Sequence, residues 1–160
     1  MKRSLLAVAI PVVALAVAAL GSSSTAVSYS PAPAATSSTA KVKLVKTKLG
    51  KVLADSRGHT LYLFEKDKGT KSHCSGACAT AWPPLTTTSK PQAGAGISAS
   101  KLGTTTRSGG VKQVTYNRHP LYGFVKDTGA RQTHGEGVKA FGAEWYMLSA
   151  TGKKVEEEGS

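Results

Sequence analysis

Twelve residues, Gly58-His59-Thr60-Leu61-Tyr62-Leu63-Phe64-Glu65-Lys66-Asp67-Lys68-Gly69, return sixty positions later as Arg118-His119-Pro120-Leu121-Tyr122-Gly123-Phe124-Val125-Lys126-Asp127-Thr128-Gly129. His, Leu, Tyr, Phe, Lys, Asp and Gly recur without a gap at one offset, and self-similarity at a fixed period marks a repeated structural unit. The chain is therefore constrained to a fold that accommodates two copies of one unit. Trp82 and Leu85 have counterparts in Trp145 and Leu148 at an offset of 63. The shift of three positions falls between motif and tryptophan, where the first copy carries Cys74-Ser75-Gly76-Ala77-Cys78 and the second carries Thr133-His134-Gly135-Glu136-Gly137-Val138-Lys139.

The unit reads as β-structure. Val42 and Leu44 alternate with Lys41, Lys43 and Lys46, the period of a half-buried strand with its lysines outward. Lys48-Leu49-Gly50 makes a turn into a second short strand at 51–55, and Ser56-Arg57-Gly58 leads tightly into the first motif. Within the motif, Leu61 and Leu63 point to one face while Tyr62 and Phe64 point to the other, so the strand is apolar on both sides and central. The second copy keeps Leu121, Tyr122 and Phe124 but has Gly123 in place of Leu63, which predicts a bulge or a close backbone approach. Residues 111–116 read as the strand ahead of the second motif, and each unit is expected to end on a tryptophan strand. A short helix is predicted at 98–102; no segment shows a convincing 3.6-residue period. The expectation is an all-β domain, two tandem β-meander units related by a pseudo-twofold duplication.

The Asp-x-Gly that closes each copy, at Asp67 and Asp127, predicts a turn in which the carboxylate accepts a hydrogen bond from the backbone two residues on. A ligand-binding or catalytic carboxylate is the competing reading.

Residues 1–26 have the three parts of a secretory signal: Lys2 and Arg3, an apolar run at 5–20, then small residues. The run is shorter than the roughly 20 residues of a membrane span, although a retained N-terminal anchor is the alternative. Residues 27–40, rich in Ser, Thr, Ala and Pro and free of charge, read as a flexible linker. The duplicated domain is expected over 41–155, with unit one at 41–85, a connection at 86–110 low in apolar residues, and unit two at 111–155. An acidic tail, 156–160, follows.

Without Lys2 and Arg3 the chain has 19 basic residues, and without the three tail glutamates it has six acidic ones. The domain is thus strongly cationic, which predicts attraction to an anionic cell-wall polymer, lipid or acidic envelope protein; a well-solvated surface whose lysines guard strand edges is the plainer reading. Nucleic acid is excluded as a partner by the absence of an aromatic-basic recognition motif in an exported chain. Cys74 and Cys78, the only cysteines, predict a disulfide in an oxidising compartment. The alternative is a thiolate pair for a soft metal such as copper, with His73 as a third ligand.

Tyr62-x-Phe64-x-x-Asp67 and Tyr122-x-Phe124-x-x-Asp127, with the intervening Cys74-x-Gly76-x-Cys78 and Trp82-Pro83-Pro84-Leu85, resemble the paired Y-x-[FWY]-x-x-D motifs and the accompanying elements of the predicted bacterial lipoproteins also called the secreted repeat of unknown function. The resemblance spans about residues 42–155. It implies export, often with lipid anchoring, and a tandem repeat, and it supplies no activity. The chain departs from the lipoprotein pattern in having no Cys after its apolar run, where Ser22 stands.

His59 and His119 hold equal places in the two copies. They are candidates to share a metal or a haem iron across the pseudo-twofold axis, or simply to bond a neighbouring turn. Trp82 and Trp145 are the expected core. No nucleophile or metalloprotease signature is present, so the sequence points to a secreted, cell-envelope-associated binding or structural module, with a copper or haem carrier as the alternative and no enzyme activity.

Overall fold

In the computed structural model residues 38–155 are described; the expected signal segment, most of the linker and the acidic tail lie outside them. Ten short strands carry the fold: β1 (Lys41–Thr47), β2 (Gly50–Ala54), β3 (Tyr62–Phe64), β4 (Thr86–Thr87), β5 (Gln92–Ala93), β6 (Leu102–Thr106), β7 (Lys112–Tyr116), β8 (His119–Pro120), β9 (Val138–Ala140) and β10 (Ala143–Met147). One helix, α1 (Ala77–Ala81), stands among them. The all-β reading with two tandem units is what the chain forms.

The strands make three small sheets, ordered β2-β1-β5, β3-β10-β9 and β4-β7-β6, with β8 added on β7. β1 and β2 pair as the antiparallel hairpin that the lysine alternation implied, Leu44 opposite Leu53 and Val45 opposite Val52. The turn holds because Thr47 Oγ1 accepts from Leu49 N and donates to the Gly50 carbonyl, and Gly50 adopts a φ of 108° that a side chain would resist. In the second repeat β6 and β7 take the same roles, with Thr104 opposite Val114.

The alternation in the motif sorts side chains into two cores. Leu61, Leu63 and Leu121 join Val42, Leu53, Val114, Tyr116 and Leu148 on one side. Tyr62, Phe64 and Tyr122 join Trp82, Trp145, Met147 and both cysteines on the other. Tyr62, Tyr122 and Trp145 are fully buried, and Trp82 is 1% exposed.

The repeats are woven through each other. Tyr62 N donates to the Tyr122 carbonyl at 2.8 Å and Tyr122 N donates to the Tyr62 carbonyl at 3.0 Å, so the two motifs cross at equivalent residues. Beyond the crossing, each motif pairs with the tryptophan segment of the other repeat. β3 lies antiparallel to β10, Tyr62 opposite Met147 and Phe64 opposite Trp145. The second motif correspondingly bridges Tyr122 to Pro84. The backbone bonds repeat in register: Leu53 N to the Leu148 carbonyl matches Val114 N to the Leu85 carbonyl, and Glu65 N to the Glu144 carbonyl matches Val125 N to the Ala81 carbonyl.

Four local readings of the sequence are corrected. The segment read as a bare connection, 86–110, holds β4, β5 and β6; its threonines form β4 and β6 against β7, and Gln92–Ala93 forms β5 against β1, partner edges that composition does not reveal. The helix expected at 98–102 shrinks to one 3₁₀ turn, Ala99–Lys101, because Leu102 already enters β6. Trp82 caps α1 where a strand was expected, and Trp145 alone sits within a strand. The Cys74–Cys78 loop winds the backbone so that Trp82 N reaches the Cys78 carbonyl at 2.8 Å; Pro83 then bars the helical region to Trp82 and stops the helix. Finally, Gly123 marks no close approach, since a Cβ there would meet nothing nearer than the Pro83 carbonyl at 3.9 Å. The second motif instead loses part of its strand ladder because Pro83, which stands where β10 has Tyr146 opposite Leu63, has no N–H to donate.

Candidate functional site at the junction of the repeats

The residues of the motif are all spent on the junction. Phe64 stacks on Trp145 with ring centroids 4.1 Å apart, Trp145 on Trp82 at 3.9 Å, and Trp82 on Phe124 at 4.0 Å. The result is a ladder of four rings in which each Phe covers the Trp of the other repeat. Tyr62 meets Trp82 edge-on at 5.4 Å and Tyr122 meets Trp145 edge-on at 5.1 Å, the arrangement that ring quadrupoles favour.

Each tyrosine hydroxyl then reaches the aspartate of the opposite copy. Tyr62 donates to Asp127 Oδ2 at 2.5 Å and Tyr122 donates to Asp67 Oδ2 at 2.7 Å. Both carboxylates are 1% exposed at the side chain. The turn reading of Asp67 and Asp127 needs correcting: their second oxygens accept from backbone N–H groups six and seven residues on, His73 N at 2.6 Å and His134 N at 3.0 Å, not two. Each aspartate therefore pins its own following loop and the other repeat's tyrosine. Burial is the largest effect raising the Asp67 pKa, opposed by the hydrogen bonds from Tyr122 and His73 N. Burial likewise pushes the Tyr62 and Tyr122 phenols well above their ordinary value, and the neighbouring carboxylates add to it.

Of the candidate histidines, His59 sits at its turn: its N–H donates to Asp55 Oδ1 at 2.9 Å and its Nδ1 lies 3.9 Å from Asp55 Oδ2. Asp55 Oδ1 also accepts from Arg57 N and Gly58 N, which fixes the entry to the motif. His119 lines a cleft of about 620 Å3 with Phe64, Glu65, Asp67, Lys153 and Lys154. Burial lowers its pKa, with Asp67 acting in the opposite sense. His59 is not among the residues that line this cleft. His73 and His134 occupy matching places after the two aspartates, with Nδ1 at 3.8 Å and 3.0 Å from Asp67 and Asp127 Oδ1. Among the described residues no three His, Cys, Asp or Glu side chains gather as a metal site would require.

Cys74 and Cys78 form a disulfide, so the thiolate-pair reading for copper with His73 falls. In the second repeat the place of Cys74 belongs to Gly135, whose backbone lies on the rings of Tyr62 and Trp82; a Cβ would come within 2.7 Å and 2.8 Å of them. Sequence reasoning missed Arg107, whose guanidinium donates to Ser72 Oγ, Gln113 Oε1 and the Cys74 carbonyl. No local signal marks it, because its partners in the Cys loop lie 33 and 35 residues away.

The class defined by this geometry is an all-β protein built from two interlocked copies of one repeat, closed by a shared aromatic ladder. A family model described as a secreted repeat of unknown function matches residues 43–86 and again 103–149, more than half of the chain. The chain belongs to that family. No curated protein and no solved structure matches it. Among the described residues no helix is long and apolar enough to cross a membrane.

Proposed function

We propose that the protein is an exported binding module of the cell envelope that takes an anionic, phosphate-bearing wall polymer as its partner. The observation that carries this reading is the way the fold disposes of its negative charge. All six acidic side chains among the described residues are committed. Asp67 and Asp127 are buried acceptors, Asp55 holds a turn, and Glu136 accepts from Met147 N. Glu144 and Glu65 pair with Lys139 and Lys154 at 2.8 and 3.1 Å. Against these six stand 19 basic residues, most of them exposed lysines. The outer surface therefore presents a cationic field with little to offset it, which draws polyanions.

A polymer is favoured over a membrane because among the described residues the exposed large apolar side chains are only Val111, Val125 and Phe141, too few to form the apolar face with which an interfacial protein enters lipid. The motif residues themselves are structural in this reading, since their functional atoms all face each other. The copper or haem alternative has no support from the placement of His59, His119 and His73.

The test is binding to immobilised poly(glycerol phosphate) across a salt series. Affinity should fall steeply between low and physiological ionic strength, where exposed charges are screened beyond about 8 Å. A neutral polysaccharide should bind nothing. Salt-independent binding, or no binding to the polyanion at low salt, overturns the reading.

A further inference from the structure

The Cys loop of the first repeat and the turn after β6 enclose a pocket of about 450 Å3 lined by Lys71, His73, Arg107, the hydroxyls of Ser72, Ser75 and Ser108, and neighbouring threonines. No acidic residue lines it, unlike the cleft beside His119, which contains Glu65 and Asp67. We propose that this pocket is the phosphoryl-binding site of the protein, taking a single phosphate ester such as one glycerol phosphate unit; this rests on the polyanion-binding reading above and gives it an address.

Arg107 is the centre of the argument. Its Nη1 donates to Ser72 Oγ and to Gln113 Oε1, both at 2.7 Å, and its Nη2 donates to the Cys74 carbonyl at 2.5 Å. All three acceptors are neutral, so these contacts orient the half-buried guanidinium without an ion pair; the buried carboxylate of Asp67 feels its charge but is bonded to Tyr122 and to His73 N. They use three of the five N–H donors an arginine carries. Gln113 is fully buried and anchored in turn, Nε2 donating to the Leu121 carbonyl at 2.9 Å.

The opposite wall is equally fixed. Asp67 holds His73 N, the hydroxyl oxygen of Tyr122 lies 2.7 Å from Ser72 Oγ, and the Cys74–Cys78 disulfide closes the loop. A cation held in place before binding, beside the exposed Lys71 and several hydroxyls, suits a tetrahedral oxyanion with several acceptor oxygens, and fixing the loop in advance lowers the cost of binding. The corresponding loop of the second repeat, aligned on His73 and His134, carries Glu136 where the first has Ser75. A carboxylate in that loop disfavours an anion, so the site belongs to the first repeat alone.

The full chain is titrated with inorganic phosphate and then glycerol 1-phosphate while backbone amide shifts are followed by NMR. Saturable shifts confined to residues 70–75 and 105–108 are expected. Lys71→Gln and Arg107→Lys should each weaken glycerol phosphate by about tenfold, the second because a point charge replaces a planar fork. Lys126→Gln, the same change of charge at an exposed lysine outside the pocket, should leave affinity unaltered. If Arg107→Lys disturbs the fold, as near-UV circular dichroism would show, Lys71→Gln carries the comparison. Shifts that never saturate and spread over the surface lysines, or equal effects of Lys71→Gln and Lys126→Gln, overturn the pocket. Poly(glycerol phosphate) binding that is salt-sensitive yet indifferent to both pocket variants sinks the pocket and leaves the module reading standing. Saturable glycerol phosphate binding without polymer binding upholds the pocket and removes the polymer. Pocket-dependent binding to phosphatidylglycerol vesicles alone overturns the polymer as the source of the phosphate.

Discussion

Tyr62 and Tyr122 place their hydroxyls on carboxylates supplied by the other repeat, and this exchange explains why Tyr, Phe and Asp recur together. The Tyr hydroxyl needs an acceptor in a dry core, the Asp needs donors for both oxygens, and the Phe covers an indole face. Removing one member leaves another unsatisfied. Tyr62→Phe should cost about 1.5–3 kcal/mol in urea unfolding, the usual value of a hydrogen bond to a charged group, because Asp127 stays buried with one donor fewer. Alkaline pH tests the same contacts. Both phenols are raised by burial, the largest cause, so above about pH 10, the ordinary phenol value, the unfolded chain releases protons that the folded chain keeps. The fold then binds more protons than the unfolded state, and its stability, fully present below that pH, falls as pH rises. The urea midpoint should drop above pH 10 in the native sequence and drop less steeply in Tyr62→Phe; equal slopes would show that these hydroxyls titrate freely in the fold.

Helix α1 and β10 deliver equivalent tryptophans by unlike routes. The disulfide-closed turn and Pro83 bring Trp82 in from a helix end, whereas Trp145 stands in a strand paired on both edges, to β3 and β9. The ladder needs the ring planes, and either backbone can present them. The Cys loop serves twice, shaping α1 and supplying a wall of the phosphate pocket. Replacing both cysteines by alanine should lower stability by about 2 kcal/mol, the chain-entropy value for so short a loop. It should also broaden the amide resonances of residues 71–78 while leaving those of β10 sharp. Unchanged resonances in the loop would mean that Asp67 and Arg107 suffice to hold it.

Because each motif pairs with the other repeat's tryptophan segment, neither repeat closes a core alone. Residues 38–100 by themselves should stay unfolded, and so should residues 101–155. Mixed, the two fragments should regain the circular dichroism of the stacked indoles, since the ladder of Phe64, Trp145, Trp82 and Phe124 exists only when both are present. A folded isolated fragment would show that the exchange of strands is dispensable. The charge distribution belongs to this scale too, for the acids are absorbed at turns, hairpin and junction while the lysines of both repeats remain outside.

The repeat was plain from sequence, because identical residues at one offset need no spatial information to be seen. The alternation of Leu61 and Leu63 with Tyr62 and Phe64 likewise determined which faces meet which cores, as successive side chains on a strand must point to opposite sides. The spacing of the cysteines favoured their pairing for the same local reason but left a thiolate pair for a metal open, which the Cys74–Cys78 disulfide of the folded chain closes. What the sequence left undecided was which repeat each contact would come from. A period of sixty residues is equally compatible with two closed units and with two interlocked ones; only the folded chain, crossing at Tyr62 and Tyr122, chooses between them. The roles of Asp67, Asp127 and Arg107 stayed hidden for the same reason. Besides Gln113 and the backbone of His73 and His134, their partners lie 55, 65 and 33 to 35 residues away, and composition, period and spacing are local, whereas a buried carboxylate or guanidinium is defined by whatever the tertiary structure brings against it.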